Sequence, residues 1–127
     1  MFGNPYAERM ALEATYEDVA TVTRNKAERG PDGLARLTLV DVYDGIICAL
    51  SKKSDSSAQT DAQQNIRRDM TLYTSPDKAI IAGDTVTVTR YGRIFPTSER
   101  VHTFEVVGVP VWYPTHIEVA LKDVSIA

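Results

Sequence analysis

Glycine and proline divide this chain so often that no long regular element can form. Gly30-Pro31-Asp32-Gly33, Asp44-Gly45, Ser75-Pro76-Asp77 and Gly83-Asp84 are turn signals, and Gly108, Pro110 and Pro114 break up the last third. Glycine admits positive φ, and proline fixes its own φ while lacking a donor, so each cluster ends a regular element. The stretches in between are short and rich in β-branched residues. Tyr16 to Lys26 carries Val19, Thr21, Val22 and Thr23, which favours a strand. The segment 85–95 alternates most cleanly, with Val86 and Val88 predicted inward and Thr85, Thr87 and Thr89 outward. Tyr91-Gly92-Arg93 within it reads as a hairpin turn, although the Pro96-Thr97-Ser98 loop that follows allows another reading.

Leu34 to Asp44 changes phase midway. Leu37 and Leu39 face one side and Val40 and Val42 the other, which predicts a β-bulge or a strand buried on both faces. Asp44-Gly45 then reads as a turn before a short strand over Ile46–Leu50. Further strands are expected over Ile66–Thr74, around Phe104 and Val106, and over Ile117, Val119 and Leu121. Asn4-Pro5 has the form of a helix start, so residues 1–14 read as an N-terminal arm or short helix. Residues 15–127 read as one domain. The expected fold is all-β, a small barrel of short antiparallel strands.

One segment does not belong to any strand. Ser51, Lys52, Lys53, Ser54, Asp55, Ser56, Ser57, Ala58, Gln59, Thr60, Asp61, Ala62, Gln63, Gln64 and Asn65 include no aromatic and no apolar residue larger than alanine. A loop this long inside a small domain is uncommon and usually has a function of its own. Lys52-Lys53 and Arg67-Arg68 bracket it, while Asp55 and Asp61 balance the charge. A solvated surface loop fits that pattern, and so does a loop lying loosely along a polyanion with the basic pairs facing DNA. Tight, salt-dependent binding needs many uncompensated cations.

Composition narrows the rest. The net charge of -3 gives no basic footprint for nucleic acid as a whole. The single Cys48 excludes an internal disulfide and lies in an apolar run, as a small buried hydrophobe would. No apolar run approaches the ~20 residues of a membrane span. The N-terminal stretch is too acidic for a signal peptide, so folding in the cytoplasm is expected. His102 and His116 lack partners at metal-ligand spacing, and no nucleophile elbow or phosphate loop occurs. No enzyme activity, cofactor or metal is expected. Asp18, Asp41, Asp44 and Glu105 are expected on solvated strand faces. Trp112-Tyr113-Pro114, with His116 nearby, reads either as a barrel corner plugged by aromatics or as an interface anchor.

The order YEDVATVTR (16–24), VYDGIICALSKKS (42–54), GDTVTVTRYGRIF (83–95) and VWYPTHIEVALK (111–122) resembles the minor capsid, or head-completion, proteins of long-tailed bacteriophages. The resemblance runs from about Tyr16 onward and departs from the family at Ile46-Ile47, where relatives tend to carry Ile-Pro. It implies a head-closure, or stopper, protein of the connector between capsid and tail. Such proteins form rings, dodecameric in the best-known relatives, below an adaptor ring on the portal. It further implies a tail-completion or terminator protein as a partner, packaged double-stranded DNA in the channel, and location in the virion after assembly in the host cytoplasm. Ser51–Asn65 would then be the channel loop. A tail-completion or tail-tube subunit is the alternative. A nucleic-acid-binding β-barrel fits less well, because the pI is ≈ 5.3 and the aromatics are scattered.

Overall fold

The computed structural model describes residues 5–52 and 69–124. Helix α1 (Pro5–Glu13) precedes seven strands: β1 (Asp18–Arg29), β2 (Ala35–Lys52), β3 (Asp69–Thr74), β4 (Thr85–Thr89), β5 (Val101–Val106), β6 (Val111–Trp112) and β7 (Ile117–Asp123). All pairings are antiparallel. The ladder runs β3-β2-β1-β4-β5-β7, and β3 pairs back onto β7 from Asp69–Lys122 to Thr74–Ile117. Six strands therefore close into a barrel, which removes free sheet edges around the ring. The all-β barrel and the short N-terminal helix expected from the sequence are both present.

Strand β6 continues β5. Val106 lies opposite Leu121, and Val111 lies opposite Glu118, so five steps along one strand match three along β7. Two extra residues are accommodated around Gly108-Val109, and the same edge of β7 is followed throughout. β3 occupies the other edge of β7.

Alternation fills the barrel. Ala20 and Val22, Val86 and Val88, Phe104 and Val106, and Ile117, Val119 and Leu121 point inward to meet Ile46, Cys48, Leu50 and Leu72. Burying a side chain of this size stabilises by roughly 1.5–3 kcal/mol, so this layer carries the fold. Burial also pushes the Cys48 thiol up, which keeps it protonated as an apolar packing group.

Three local expectations are corrected. Asp44-Gly45 is not a turn, because β2 runs unbroken for 18 residues. Its pairing with β1 slips twice, between Ala20 and Val22 and between Val22 and Thr23, each time leaving an extra residue in β2. Gly45, at φ 75°, occupies the left-handed conformation that such a bulge demands. The two slips together restore the original phase, so Leu37 and Leu39 still face opposite to Ile46, Cys48 and Leu50.

The second correction concerns Tyr91-Gly92-Arg93, which does not close a tight hairpin. Residues 90–100 form a folded connection pinned by Phe95 N–H donating to Tyr91 C=O and Arg90 N–H donating to Arg100 C=O. The third is Asp18, which is buried rather than solvated. Its carboxylate accepts Leu50 N–H at 3.0 Å and Tyr91 N–H at 2.8 Å, two donors that no strand partner serves. Arg90 Nε stands 3.4 Å away and supplies charge rather than a hydrogen bond.

Tyr16 is buried where α1 meets the barrel, and its hydroxyl has no partner among the described residues. Burial raises its pKa from 10.0 to about 12. The folded state thus holds the neutral phenol, and the stability this represents is lost as pH climbs from 10 towards 12, where only the unfolded chain ionises readily. Tyr16→Phe should be no less stable than the parent at neutral pH. Across that alkaline window its urea midpoint should fall less steeply than the parent's.

Candidate functional site

The barrel accounts for only part of β1 and β2. β4 pairs with β1 no further than Thr23, and β3 pairs with β2 only from Cys48 to Lys52. Beyond these points the two strands continue alone as a ribbon, from Arg24–Val40 to Arg29–Ala35. Six residues at the strand rise carry it roughly 20 Å beyond the barrel. Its tip is a three-residue hairpin loop with Pro31 and Asp32 central. Gly33 N–H donates to Gly30 C=O at 2.9 Å, and Gly33 takes φ 80°.

The ribbon has two different faces, because directly opposed residues share a side. Lys26–Thr38 and Glu28–Arg36 form a polar face that continues the barrel's inner side. Ala27–Leu37, Asn25–Leu39 and Arg29–Ala35 form the other, which continues its outer side. Leu37 is 74% and Leu39 59% exposed. An isolated two-stranded hairpin is marginally stable at best in water, so something must hold this one.

A clamp at its base does so. Arg24 donates through Nε and Nη2 to the two carboxylate oxygens of Asp84, at 2.8 and 2.9 Å, and through Nη2 to Ala79 C=O at 3.0 Å. Asp84 is 1% exposed and also accepts Ile81 N–H at 3.0 Å. The hydrogen bond to Asp84 holds the Arg24 guanidinium above its ordinary range. On β2, the Tyr43 hydroxyl accepts Ala79 N–H at 2.6 Å while the Lys78 ammonium lies over the Tyr43 ring. Both strands of the ribbon are thereby fastened to the 78–84 loop.

The same loop forms one wall of an apolar groove of about 280 Å³. Ile80, Ile81 and Ala82, with Lys78 at their N-terminal side, line it together with Val109, Pro110, Trp112 and Ile117. Val109 is 87% and Trp112 65% exposed. Trp112 does not plug the barrel corner; its indole N–H donates to Pro76 C=O at 3.2 Å and its ring lines the groove.

Tyr113 and His116 close the β6–β7 hairpin. Their rings stack 4.8 Å apart, with Tyr73 at 5.8 Å from His116. His116 Nε2 lies 3.0 Å from a Glu118 carboxylate oxygen, and Thr115 Oγ1 lies 3.0 Å from Nδ1. These contacts brace the hairpin that carries Trp112. No group of three metal-ligating side chains occurs among the described residues.

The fold thus brings Trp112, Tyr113 and His116 into one hairpin beside the groove. Ser51 and Lys52 are exposed at the end of β2 remote from the ribbon. Lys53 to Asn65, together with Arg67 and Arg68, lie outside the described residues. Sequence reasoning missed Arg24, Asp84 and the ribbon. The usable signal was Leu37 and Leu39 alternating with polar residues directly after a Gly-Pro-Asp-Gly turn and out of phase with Val40 and Val42. No helix among the described residues is long and apolar enough to cross a membrane.

No protein-family model matches the chain, and no curated protein matches it. Among solved structures, the fold is similar to the solution structure of protein SF1141 from Shigella flexneri 2a. The TM-score is 0.64 at 16% identity, covering 88% of this chain and 96% of that one. It is also similar to the phage-like element PBSX protein xkdH from Bacillus subtilis, with a TM-score of 0.50 at 10% identity, covering 86% of this chain and 95% of that one. At these identities the likeness is one of fold.

Because Leu37 and Trp112 are exposed, Leu37→Asp and Trp112→Ala should each leave monomer stability within about 0.5 kcal/mol of the parent, as surface changes do. Arg24→Ala strands the buried Asp84 carboxylate. Removing one partner of a fully buried pair costs roughly 3–5 kcal/mol, and the part-exposed Arg24 places this one at about 2–3 kcal/mol. Urea denaturation of the three variants checks both expectations.

Proposed function

We propose that this chain is a structural subunit of a phage or prophage-derived particle, working in the connector between capsid and tail. In this reading copies form a ring below the portal's adaptor, close the capsid exit and dock the tail through a completion or terminator protein. The role is one of assembly rather than catalysis, performed in the virion after assembly in the host cytoplasm. The observation that carries the reading is the division of apolar surface. The barrel interior is filled by side chains, while substantial apolar area is displaced outward onto the ribbon and the groove. Exposed apolar patches of this kind mark sites of association. The fold likeness to a protein of a phage-like element adds support of the coarser kind.

The hydrophilic segment Ser51–Asn65 is assigned to the channel on its composition. It offers nothing to bury, and many mildly charged copies around one axis would obstruct DNA sterically without gripping it. The placement of Lys52 agrees with this, since it stands at the end of β2 opposite the ribbon. One end of the strand is then free to face a lumen while the other reaches a neighbour.

The test replaces Lys53–Gln64 with a short Gly-Ser linker in the particle that encodes this chain. Heads should assemble and tails join, but packaged DNA should leak, as measured by encapsidated genome per particle. Normal DNA retention, or images of the particle placing the chain in the tail tube, would contradict the channel role.

A further inference from the structure

The ribbon and the groove are two apolar surfaces of one chain that cannot satisfy each other within it. The Arg24–Asp84 pair and the Tyr43–Ala79 bond fix the ribbon base beside the groove wall. From there the ribbon runs outward for roughly 20 Å, so Leu37 is carried away from its own groove. We propose that the Leu37/Leu39 face of the ribbon seats in the Trp112-lined groove of a second copy of this chain. The contact is head-to-tail. This rests on the reading of the chain as a subunit of a repeating assembly and names the surfaces that join its copies.

Two observations select a second copy as the occupant. Both partner surfaces are largely apolar and of the same scale, since two leucines and two alanines meet a groove of about 280 Å³.

The second observation is size. The ribbon face offers about six residues, well short of the roughly 20–30 a side of a standard stable interface. One such contact is weak and suits repetition around a ring, where each copy is held on two flanks. A patch that must stand alone against an unrelated partner would need to be larger.

The single native cysteine makes the test clean, because Cys48 is buried with its thiol held protonated. Leu37→Cys and Val109→Cys are introduced singly and together, and each protein is treated with a short bis-maleimide over a concentration series. The double variant should give a ladder of trimers and higher species. Each single variant should give no ladder, and adding Leu39→Asp should abolish the ladder of the double variant. Dimers formed by Leu37→Cys alone would mean that ribbon meets ribbon and would overturn the proposal. So would light scattering that finds oligomers of the unmodified chain while no 37–109 bridge forms, a result that leaves the assembly reading standing. A chain that stays monomeric and unbridged throughout would overturn it as well. The connector role itself is read separately, from DNA retention in particles.

Discussion

Everything that projects from this barrel depends on the paired contact between Arg24 and Asp84. A planar guanidinium meets a carboxylate through two parallel hydrogen bonds, the geometry in which arginine is most directional. Asp84 is almost wholly buried, but it is not an unpaid charge: Arg24 and the Ile81 amide serve its oxygens. The pair sits where β1 leaves the barrel, and it converts a hairpin that would fray alone into an arm with a fixed exit. Because the 78–84 loop both receives Arg24 and walls the groove, the arm and the groove are set by one local structure.

The barrel serves as a mount. Closure of β3 on β7 pairs the ring of strands all round, and the inward layer of valine, leucine, isoleucine and phenylalanine fills the interior. Its buried polar groups act structurally. Asp18 substitutes for absent strand partners of Leu50 and Tyr91, and Thr74 donates to Ile47 C=O at 2.8 Å across the β2–β3 seam. A mount of this kind, with recognition displaced to its ends, suits a subunit that repeats around an axis.

Much of the fold was legible in the sequence because period-2 alternation is a local property. Val86 and Val88, Phe104 and Val106, and Ile117, Val119 and Leu121 all fall inward as their spacing predicts. Of the two readings that the phase change around Val40–Val42 left open, the bulge is the one β2 contains. Its companion Asp44-Gly45 misled, because a glycine with positive φ serves a bulge as well as a turn. The candidate site was less legible for a physical reason. Whether Leu37 and Leu39 are core or arm depends on where β4 stops pairing with β1, which is decided by residues more than forty positions away. Asp84 looked like part of a Gly-Asp turn, and only tertiary placement opposite Arg24 reveals it as an anchor. The aromatic hairpin at Trp112 was visible by composition, but its choice between plug and interface was not.

The most direct test of the account is amide hydrogen exchange over the ribbon, comparing the parent chain with Arg24→Met. The account predicts that the cross-strand amides of residues 25–29 and 36–40 are protected in the parent. In the variant they should lose protection selectively while the strands β3, β5 and β7 keep theirs. Ribbon amides that exchange in the parent as fast as those of an unstructured peptide, or that are unchanged by the loss of Arg24, would contradict it.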